Sequence, residues 1–354
     1  MLHLVRHVER WFWAFCIGAV LFGLLVPQAK LLIHYPWLAD PHDPANLPLL
    51  NYPWTTKLFL GGILFFTGLK IDFRAAFREL ARPWFLLYIV VMLMVVLPLG
   101  IYGLARWLVP GFALGVLIAA AMPAGLAGSS LTDICKGNTA LALVVTLATS
   151  AACPLVTPLV VRLGSGEAAA AGAAAGWLFM GKQALFLALI LFVPVAAAAL
   201  VRQLFPAAVE RHRGGLTGLS ILSLALLIVA IMASFRSQFM ALVHSRPWDA
   251  AWLILFMCLF SVSMHLAGYF LAPHRPVIDR AAISVNTAYV NNGLAMVFST
   301  TFFAGDSHAA LPAIFLEIPM VLAILPLRAW VTRCADGAAK VAGSDGETPS
   351  PPGI

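Results

Sequence analysis

Charged residues are scarce in this chain: Asp, Glu, Lys and Arg together make up 10% of its 354 residues, whereas 62% are hydrophobic. A soluble domain contains roughly 25% charged residues and about half apolar ones. So few charges could not cover the surface of a soluble fold of this length. The composition therefore excludes a soluble globular protein and indicates an integral membrane protein in contact with the lipid bilayer.

The chain also lacks the residue groupings that metal proteins and many enzymes need. Its five cysteines form no Cys-x-x-Cys pair and lie near no histidine cluster, which argues against a disulfide framework or a zinc site. It contains no His-Glu-x-x-His, no Gly-x-Ser-x-Gly and no paired carboxylates. We expect neither an enzyme nor a bound metal or cofactor, apart from sodium or a proton as a coupling ion. The net charge of +7 comes from basic residues in loops, and we expect no nucleic-acid partner.

Ten apolar segments follow one another along the chain. The predicted spans are 11–26, 57–69, 84–108, 112–135, 139–161, 177–200, 216–235, 251–271, 281–303 and 309–331. Most of them reach the ~20 residues that a helix needs to cross the hydrocarbon core. The first follows a basic start, as a signal peptide does, but no small-residue cleavage site comes after it. We therefore interpret it as an uncleaved first span.

The spans divide into two sets of five, which would have opposite orientations because five is odd. We expect a cytoplasmic N-terminus (1–10), a first five-helix repeat (11–163), a linker (164–176), a second, inverted five-helix repeat (177–332) and a disordered cytoplasmic tail (333–354). With both termini inside, most of the 22 Lys and Arg residues fall in cytoplasmic loops. This bias supports an orientation with both termini cytoplasmic. We expect the protein in the plasma membrane, the inner membrane of a bacterium.

Two of the spans are interrupted, at residues 122–133 and 286–293. Proline, glycine and hydroxyl residues are concentrated in the first segment and amides in the second, and few of these residues favour helix continuation. At membrane depth, broken backbone is tolerated only where it is buried in protein or lines a cavity. Paired interruptions in two halves of a chain indicate the binding site of a transporter. The sequence thus predicts an all-α integral membrane transporter of ten helices, with helices four and nine discontinuous.

The residues in and near the interruptions are the first candidates for a site. Half-helix ends offer N–H groups to an anion, while carbonyls and hydroxyls can hold a cation. The candidates from this reasoning are Ser129, Ser130, Asn291 and Asn292 for the substrate, and Ser129 and Thr132 for the coupling ion. The alternative is that these small polar residues only satisfy backbone groups and let helices pack closely.

Two ionisable residues lie inside apolar spans, where such residues are costly and often functional. Glu317, in span ten, could bind a coupling cation or a proton, or could pair with an Asn or His of a neighbouring span. His265, in span eight, could relay protons or contact substrate. The alternative for His265 is a neutral, hydrogen-bonded packing histidine.

Several of these stretches together resemble the bile acid:sodium symporter family, within the superfamily that also holds arsenite exporters. The matching motifs are Gly68–Phe73, Pro123–Ser130, Lys136–Leu141, Pro154–Pro158, His265 with Gly268-Tyr269, and Asn291–Ala295. The likeness runs over most of residues 10–332. It implies a core domain built on crossed broken helices, and a panel domain against which the core moves. It adds Gly125, Leu126 and Gly293 to the substrate candidates, and Thr146 and Asn286 to the candidates for ion coupling.

The resemblance fails at several positions where sodium-coupled members supply ligands. Those positions are occupied here by Leu93, Gly128-Ser129, Ala142, Asn286 and Val290, so a carboxylate and two amides are missing. One hypothesis is that Glu317 supplies the missing charge. The Leu316–Pro319 stretch is more like the arsenite exporters, but their cysteine after the span-four proline is Ala124 here. A thiolate is the ligand that a soft arsenic species prefers, so organic-anion transport ranks above arsenite export.

We therefore expect a secondary transporter that moves a small or amphipathic organic anion by alternating access, coupled to sodium or protons. Bile-acid-like anions, keto acids and pantoate-like anions are the expected substrate classes. The alternatives are a sodium-independent exporter or facilitator of the same fold, arsenite-type export included, and a non-transporting membrane receptor.

Overall fold

Helices make up almost all of the structure, a computed structural model that describes residues 12–25, 53–69, 83–125, 128–165, 173–303, 306, 308–324 and 326–333. Within these ranges the chain is helical apart from turns and one isolated β-bridge, which confirms the predicted all-α class for this part of the chain. The predicted N-terminus, 1–10, and all but the first residue of the predicted tail lie outside the described residues.

The helices follow the predicted spans closely. They are α1 (Phe12–Leu25), α2 (Pro53–Gly68), α3 (Pro83–Leu108), α4 (Ala113–Ala120), α5 (Gly128–Ile134), α6 (Thr139–Ser165), α7 (Ala173–Leu204), α8 (Pro206–Arg211), α9 (Arg213–Ser245), α10 (Pro247–Phe270), α11 (Val277–Ala288), α12 (Asn292–Phe302) and α13 (Leu311–Leu322). Residues 326–333 are also helical. Apolar side chains with internally bonded backbone are what a hydrocarbon environment requires, and helices provide both.

Within the described part of the chain, four helices are long and apolar enough to cross a membrane, judged by length and composition. They are Pro83–Leu108, Thr139–Gly164, Gly176–Leu204 and Pro247–Phe270. Shorter apolar helices occur at Lys57–Gly68, Pro110–Ala120 and Gly214–Ala230. The protein is therefore an integral membrane protein.

The predicted linker, 164–176, overlaps the ends of two helices. Helix α6 continues to Ser165 and α7 begins at Ala173, and the residues between them lie outside the described part. Alanine is the best helix former, so the alanine-rich end of this segment extends α7 rather than interrupting it.

Helix α3 contains a π-helical turn at Met92–Val96, where the N–H of Leu97 donates to the carbonyl of Met92. Pro98 follows immediately. A proline has no N–H to donate, and its ring displaces the carbonyl four residues earlier. The wider π turn accommodates that displacement.

Helices four and nine of the predicted order are each interrupted in the structure. The first break, residues 121–125 in the described part, separates α4 from α5. The second break, residues 289–291, separates α11 from α12. Both breaks are shorter than predicted, because Ser129–Asp133 belong to α5 and Asn286–Ala288 to α11.

The helices pack in two groups. In one, which we call the α2 group, α9 packs on α1 and α2, and α7 packs on α2. In the other, the break group, α10 packs on α11 and α13, α6 packs on α5 and α11, and α4 packs on α3 and α13. Helix α12 belongs to the break group, since it packs on α13 and α4. The two groups meet where α7 contacts α6, where α9 contacts α10, where α1 contacts α13, and where α12 contacts α2 and α9.

Candidate functional site

The two breaks cross and bond to each other. The N–H of Gly125 donates to the carbonyl of Tyr289 at 2.7 Å, and the N–H of Asn291 donates to the carbonyl of Pro123 at 2.8 Å. The pairing is antiparallel. Each break thus satisfies backbone groups that the other leaves open, which is the condition for non-helical backbone at membrane depth.

Two threonines of α6 bond to the first break. The N–H of Ala124 donates to Oγ1 of Thr149 at 3.2 Å, and the hydroxyl of Thr157 donates to the carbonyl of Ala121 at 2.6 Å. Sequence reasoning missed both threonines. Thr149 follows Thr146 by three residues and Thr157 follows Thr149 by eight, so the three threonines share one face of an apolar helix. This polar stripe is the signal that could have revealed them.

The predicted ion-coupling residues Thr146 and Asn286 contact each other directly. The hydroxyl of Thr146 donates to Oδ1 of Asn286 at 2.7 Å, while Nδ2 of Asn286 donates to the carbonyl of Ala282 at 2.9 Å. Both side chains are buried. A Cβ on Gly128 would lie 3.0 Å from Oδ1 of Asn286, so α5 closes this pair on one side. Both ends of the amide are therefore bonded within the protein.

The second break carries two asparagines with different roles. Oδ1 of Asn291 accepts from the N–H of Leu294 at 3.0 Å and so caps α12. Nδ2 of Asn292 donates to Oε2 of Glu317 at 3.1 Å. Oδ1 of Asn292 is buried and has no hydrogen-bond partner among the described residues. Glu317, itself only 4% exposed, therefore faces the second break.

A cavity lies beside the crossing, between the break group and the α2 group. Its empty space, including the part open to solvent, is about 470 Å³. The lining residues are Leu60, Ile63, Leu64, Gly125, Leu224, Leu227, Tyr289, Val290, Asn291, Asn292, Gly293, Glu317 and Met320. Four of the predicted substrate-binding residues are among them: Gly125, Asn291, Asn292 and Gly293. The lining is largely apolar, with one acidic side chain.

The remaining predicted residues lie elsewhere, and their roles stay predictions. Ser129 is half-buried in the first turn of α5, and Thr132 is buried with a hydroxyl that has no partner among the described residues. Leu126 and the side chain of Ser130 are outside the described part. Nδ1 of His265 lies 3.2 Å from Oγ of Ser284, so this histidine joins α10 to α11.

Comparisons with known proteins identify the family of this chain. The profile of the Sodium Bile acid symporter family matches residues 57–244, more than half of the chain. The chain is also similar to a protein named "Uncharacterized sodium-dependent transporter YocS" of Bacillus subtilis (strain 168). The two are 26% identical over 261 residues, which cover 70% of this chain and 74% of that protein. Family and relative are transporters rather than enzymes, and this chain belongs to the sodium bile acid symporter family.

Proposed function

We propose that this protein is a secondary active transporter that moves a small or amphipathic organic anion by alternating access, coupled to a cation. The observation that carries the proposal is the crossing of the two breaks beside a cavity that both helix groups line. Substrate sites at the junction of discontinuous helices are typical of such transporters.

The cavity has the chemistry that an amphipathic anion needs. Five apolar side chains of α2 and α9 line one wall, where a hydrocarbon body would be buried. The first residues of α12, Asn292 and Gly293, line the opposite wall. The positive end of that helix dipole therefore faces the cavity and attracts an anionic group.

For the topology, we propose ten spans in two inverted repeats, with both termini cytoplasmic in the bacterial inner membrane. The broken helices would then be the fourth and the ninth span, one in each repeat. The break group would act as the core and the α2 group as the panel against which it moves. The relative's name, a sodium-dependent transporter, favours sodium as the coupling ion, with a proton as the other choice.

Uptake into proteoliposomes tests this function directly. Radiolabelled taurocholate, pyruvate and pantoate serve as probes, with either an inward sodium gradient or an inward proton gradient. We expect one of them to accumulate, and accumulation to be lost in Asn291→Ala, which removes a cavity amide and the cap of α12. Asn291→Ser keeps a capping oxygen and so separates loss of the cap from loss of the cavity contact.

Two results would contradict the proposal. Absence of uptake of all three anions under both gradients would refute organic-anion transport. Full uptake by Asn291→Ala, with normal amounts of folded protein in the liposomes, would refute the assignment of this cavity as the substrate site.

A second candidate function is sodium-independent transport, as an exporter or facilitator of the same fold. It is favoured by the direct bond between Thr146 and Asn286, which occupies the position where the family resemblance places a sodium ligand. In that case probe flux would equilibrate across the membrane at the same rate with and without an ion gradient. An arsenite substrate is disfavoured because Ala124 offers no thiolate at the first break.

A further inference from the structure

A buried carboxyl group lines the cavity without a basic partner in the described part of the protein. Glu317 projects from α13, and its Oε2 accepts one hydrogen bond, from Nδ2 of Asn292. The ion pairs found among the described residues, Arg246–Asp249 and Arg275–Asp279, do not involve it. An ionised carboxylate at membrane depth is costly unless a positive charge compensates it.

The helices around Glu317 bring no positive charge into contact with it in the described part of the protein. Helix α9, whose Phe239 contacts Phe315 of α13, contains Arg213, Arg236 and His244, and α2 contains Lys57, but the bonded partner of Glu317 is Asn292. Helices α1, α4 and α12, which pack on α13, contain no Asp, Glu, Lys, Arg or His. Helix α10 also packs on α13 and contains Asp249 and His265; Asp249 pairs with Arg246, and His265 bonds to Ser284. Among the described residues lining the cavity, the one other titratable side chain is Tyr289.

An unused oxygen lies next to this carboxyl group. Because Nδ2 of Asn292 donates to Glu317, its Oδ1 points elsewhere, and this oxygen is buried with no donor among the described residues. While Glu317 is ionised, reversing the amide would set its oxygen against the carboxylate oxygen, two acceptors facing each other. Asn292 is 3% exposed and lines the cavity. A carboxylate and an amide oxygen are the ligand types that hard cations prefer.

From these contacts we infer that Glu317 and Asn292 form the binding site of the coupling ion, a monovalent cation that is either sodium or a proton. The inference deepens the proposed function, on which it rests, by naming the coupling site. The site lies at the second break and not at the pair formed by Thr146 and Asn286. That pair contains no charge, and both ends of its amide are already bonded.

The position of this site beside the cavity also gives a reason for coupling between the organic anion and the cation. An organic anion in the cavity and an ionised Glu317 repel each other, because both are negative and share a low-dielectric space. A cation at Glu317 and Asn292 removes that repulsion. Each ligand then raises the affinity for the other by the same factor, which is the thermodynamic content of coupling.

The test is the thermal unfolding midpoint of the purified full-length protein in sodium chloride against choline chloride, at pH 6 and at pH 8, without substrate. An ion that binds only the folded state raises the midpoint. If the ion is sodium, we expect a sodium-specific rise in the wild type that is lost in Glu317→Gln and in Asn292→Ala. If it is a proton, we expect a rise at pH 6 without a sodium effect, lost in Glu317→Gln.

Thr146→Val is the matched control, since it removes a buried hydroxyl at the alternative site and should leave the ion-dependent rise intact. Glu317→Asp keeps the negative charge, but its side chain is one methylene shorter, so the carboxylate lies farther from Asn292. The half-saturating sodium concentration should therefore rise at least tenfold. This variant keeps the inference testable if Glu317→Gln does not fold.

Three outcomes would overturn the inference. The ion-dependent rise of the unfolding midpoint could survive in Glu317→Gln, or it could be lost in Thr146→Val. The third is an unfolding midpoint of the wild type that depends on neither sodium nor pH. The proposed function fails separately, in the liposome assay. If ion binding depends on Glu317 but no probe crosses the liposome membrane, the proposed transport is refuted and the ion site is supported. If the probe is transported but ion binding does not depend on Glu317, the ion site is refuted and the proposed transport is not.

Discussion

Replacing Gly125 by alanine is expected to disrupt the crossing of the two breaks. A Cβ at this position would lie 2.7 Å from Cδ1 and 2.9 Å from Cε1 of Tyr289, and 3.2 Å from its carbonyl oxygen. The same carbonyl accepts the N–H of Gly125 at 2.7 Å. The backbone of Tyr289 therefore cannot withdraw from the new methyl group without lengthening that hydrogen bond.

The magnitude follows from two costs. Overpacking a well-packed site costs about 1–3 kcal/mol. A buried backbone group that loses its partner costs about 1–3 kcal/mol more. We therefore expect the free energy of unfolding of Gly125→Ala to fall by about 2–6 kcal/mol. Because Gly125 and Tyr289 both line the cavity, uptake should be lost as well.

Thermal unfolding of the purified proteins, followed by tryptophan fluorescence, measures the first effect, and proteoliposome uptake measures the second. Gly103→Ala in α3 is the matched control, because a Cβ there would meet no atom within 4 Å. That control should be neutral or more stable by about 0.5–1 kcal/mol, since alanine is the better helix former. An unfolding midpoint of Gly125→Ala equal to that of the wild type would refute the close crossing on which this argument depends.

Three further substitutions test the surroundings of the crossing. Thr149→Val should lower the free energy of unfolding by about 1–3 kcal/mol, because the buried N–H of Ala124 loses its acceptor; chemical or thermal unfolding measures this, and an unchanged midpoint would contradict it. Gly115→Ala would bring a Cβ to 2.5 Å from a backbone carbonyl oxygen of the turn before α13, so we expect a loss of about 1–3 kcal/mol or failure to fold, read from the yield of monodisperse protein. Gly293→Ala would bring a Cβ to 2.7 Å from Cδ2 of Leu227, the far end of a flexible side chain, so uptake should slow while stability changes little; a large fall in the unfolding midpoint would count against this interpretation.

The existence of the two breaks could be predicted from sequence, but their limits could not. Polar residues at 286 and 287 indicated non-helical backbone, yet both belong to α11. The hydroxyl of Thr287 donates to the carbonyl of Ile283 at 2.7 Å, and Nδ2 of Asn286 donates to that of Ala282 at 2.9 Å. Each side chain thus bonds one turn back while the backbone continues as a helix. A single sequence does not reveal whether an Asn or Thr at membrane depth ends a helix or bonds back onto it.

The contacts that define the site could be predicted by residue type but not by position: an Asn or His of a neighbouring span was an expected partner of Glu317, and Asn292 is that partner. Asn292 and Glu317 are 25 residues apart on separate helices, and Thr146 and Asn286 are 140 residues apart. Each residue could be nominated by its chemistry, because ionisable and amide groups are rare in apolar spans. Their pairing depends on how the helices pack, which periodicity does not encode.

The two walls of the cavity differ in the kind of interaction that holds them, and this difference favours movement between them. On one side, the breaks are joined by backbone hydrogen bonds to each other and by Thr149 and Thr157 to α6, so the crossing should move as one rigid unit. On the other side, α2 and α9 present leucine and isoleucine side chains to the cavity. Apolar contacts are non-directional, so sliding along them costs little as long as apolar area stays buried. Hydrogen bonds do not tolerate such a shift. We therefore propose that the break group moves as a unit along the apolar face of the α2 group. Such a movement would carry Glu317 and the second break together from one side of the membrane to the other.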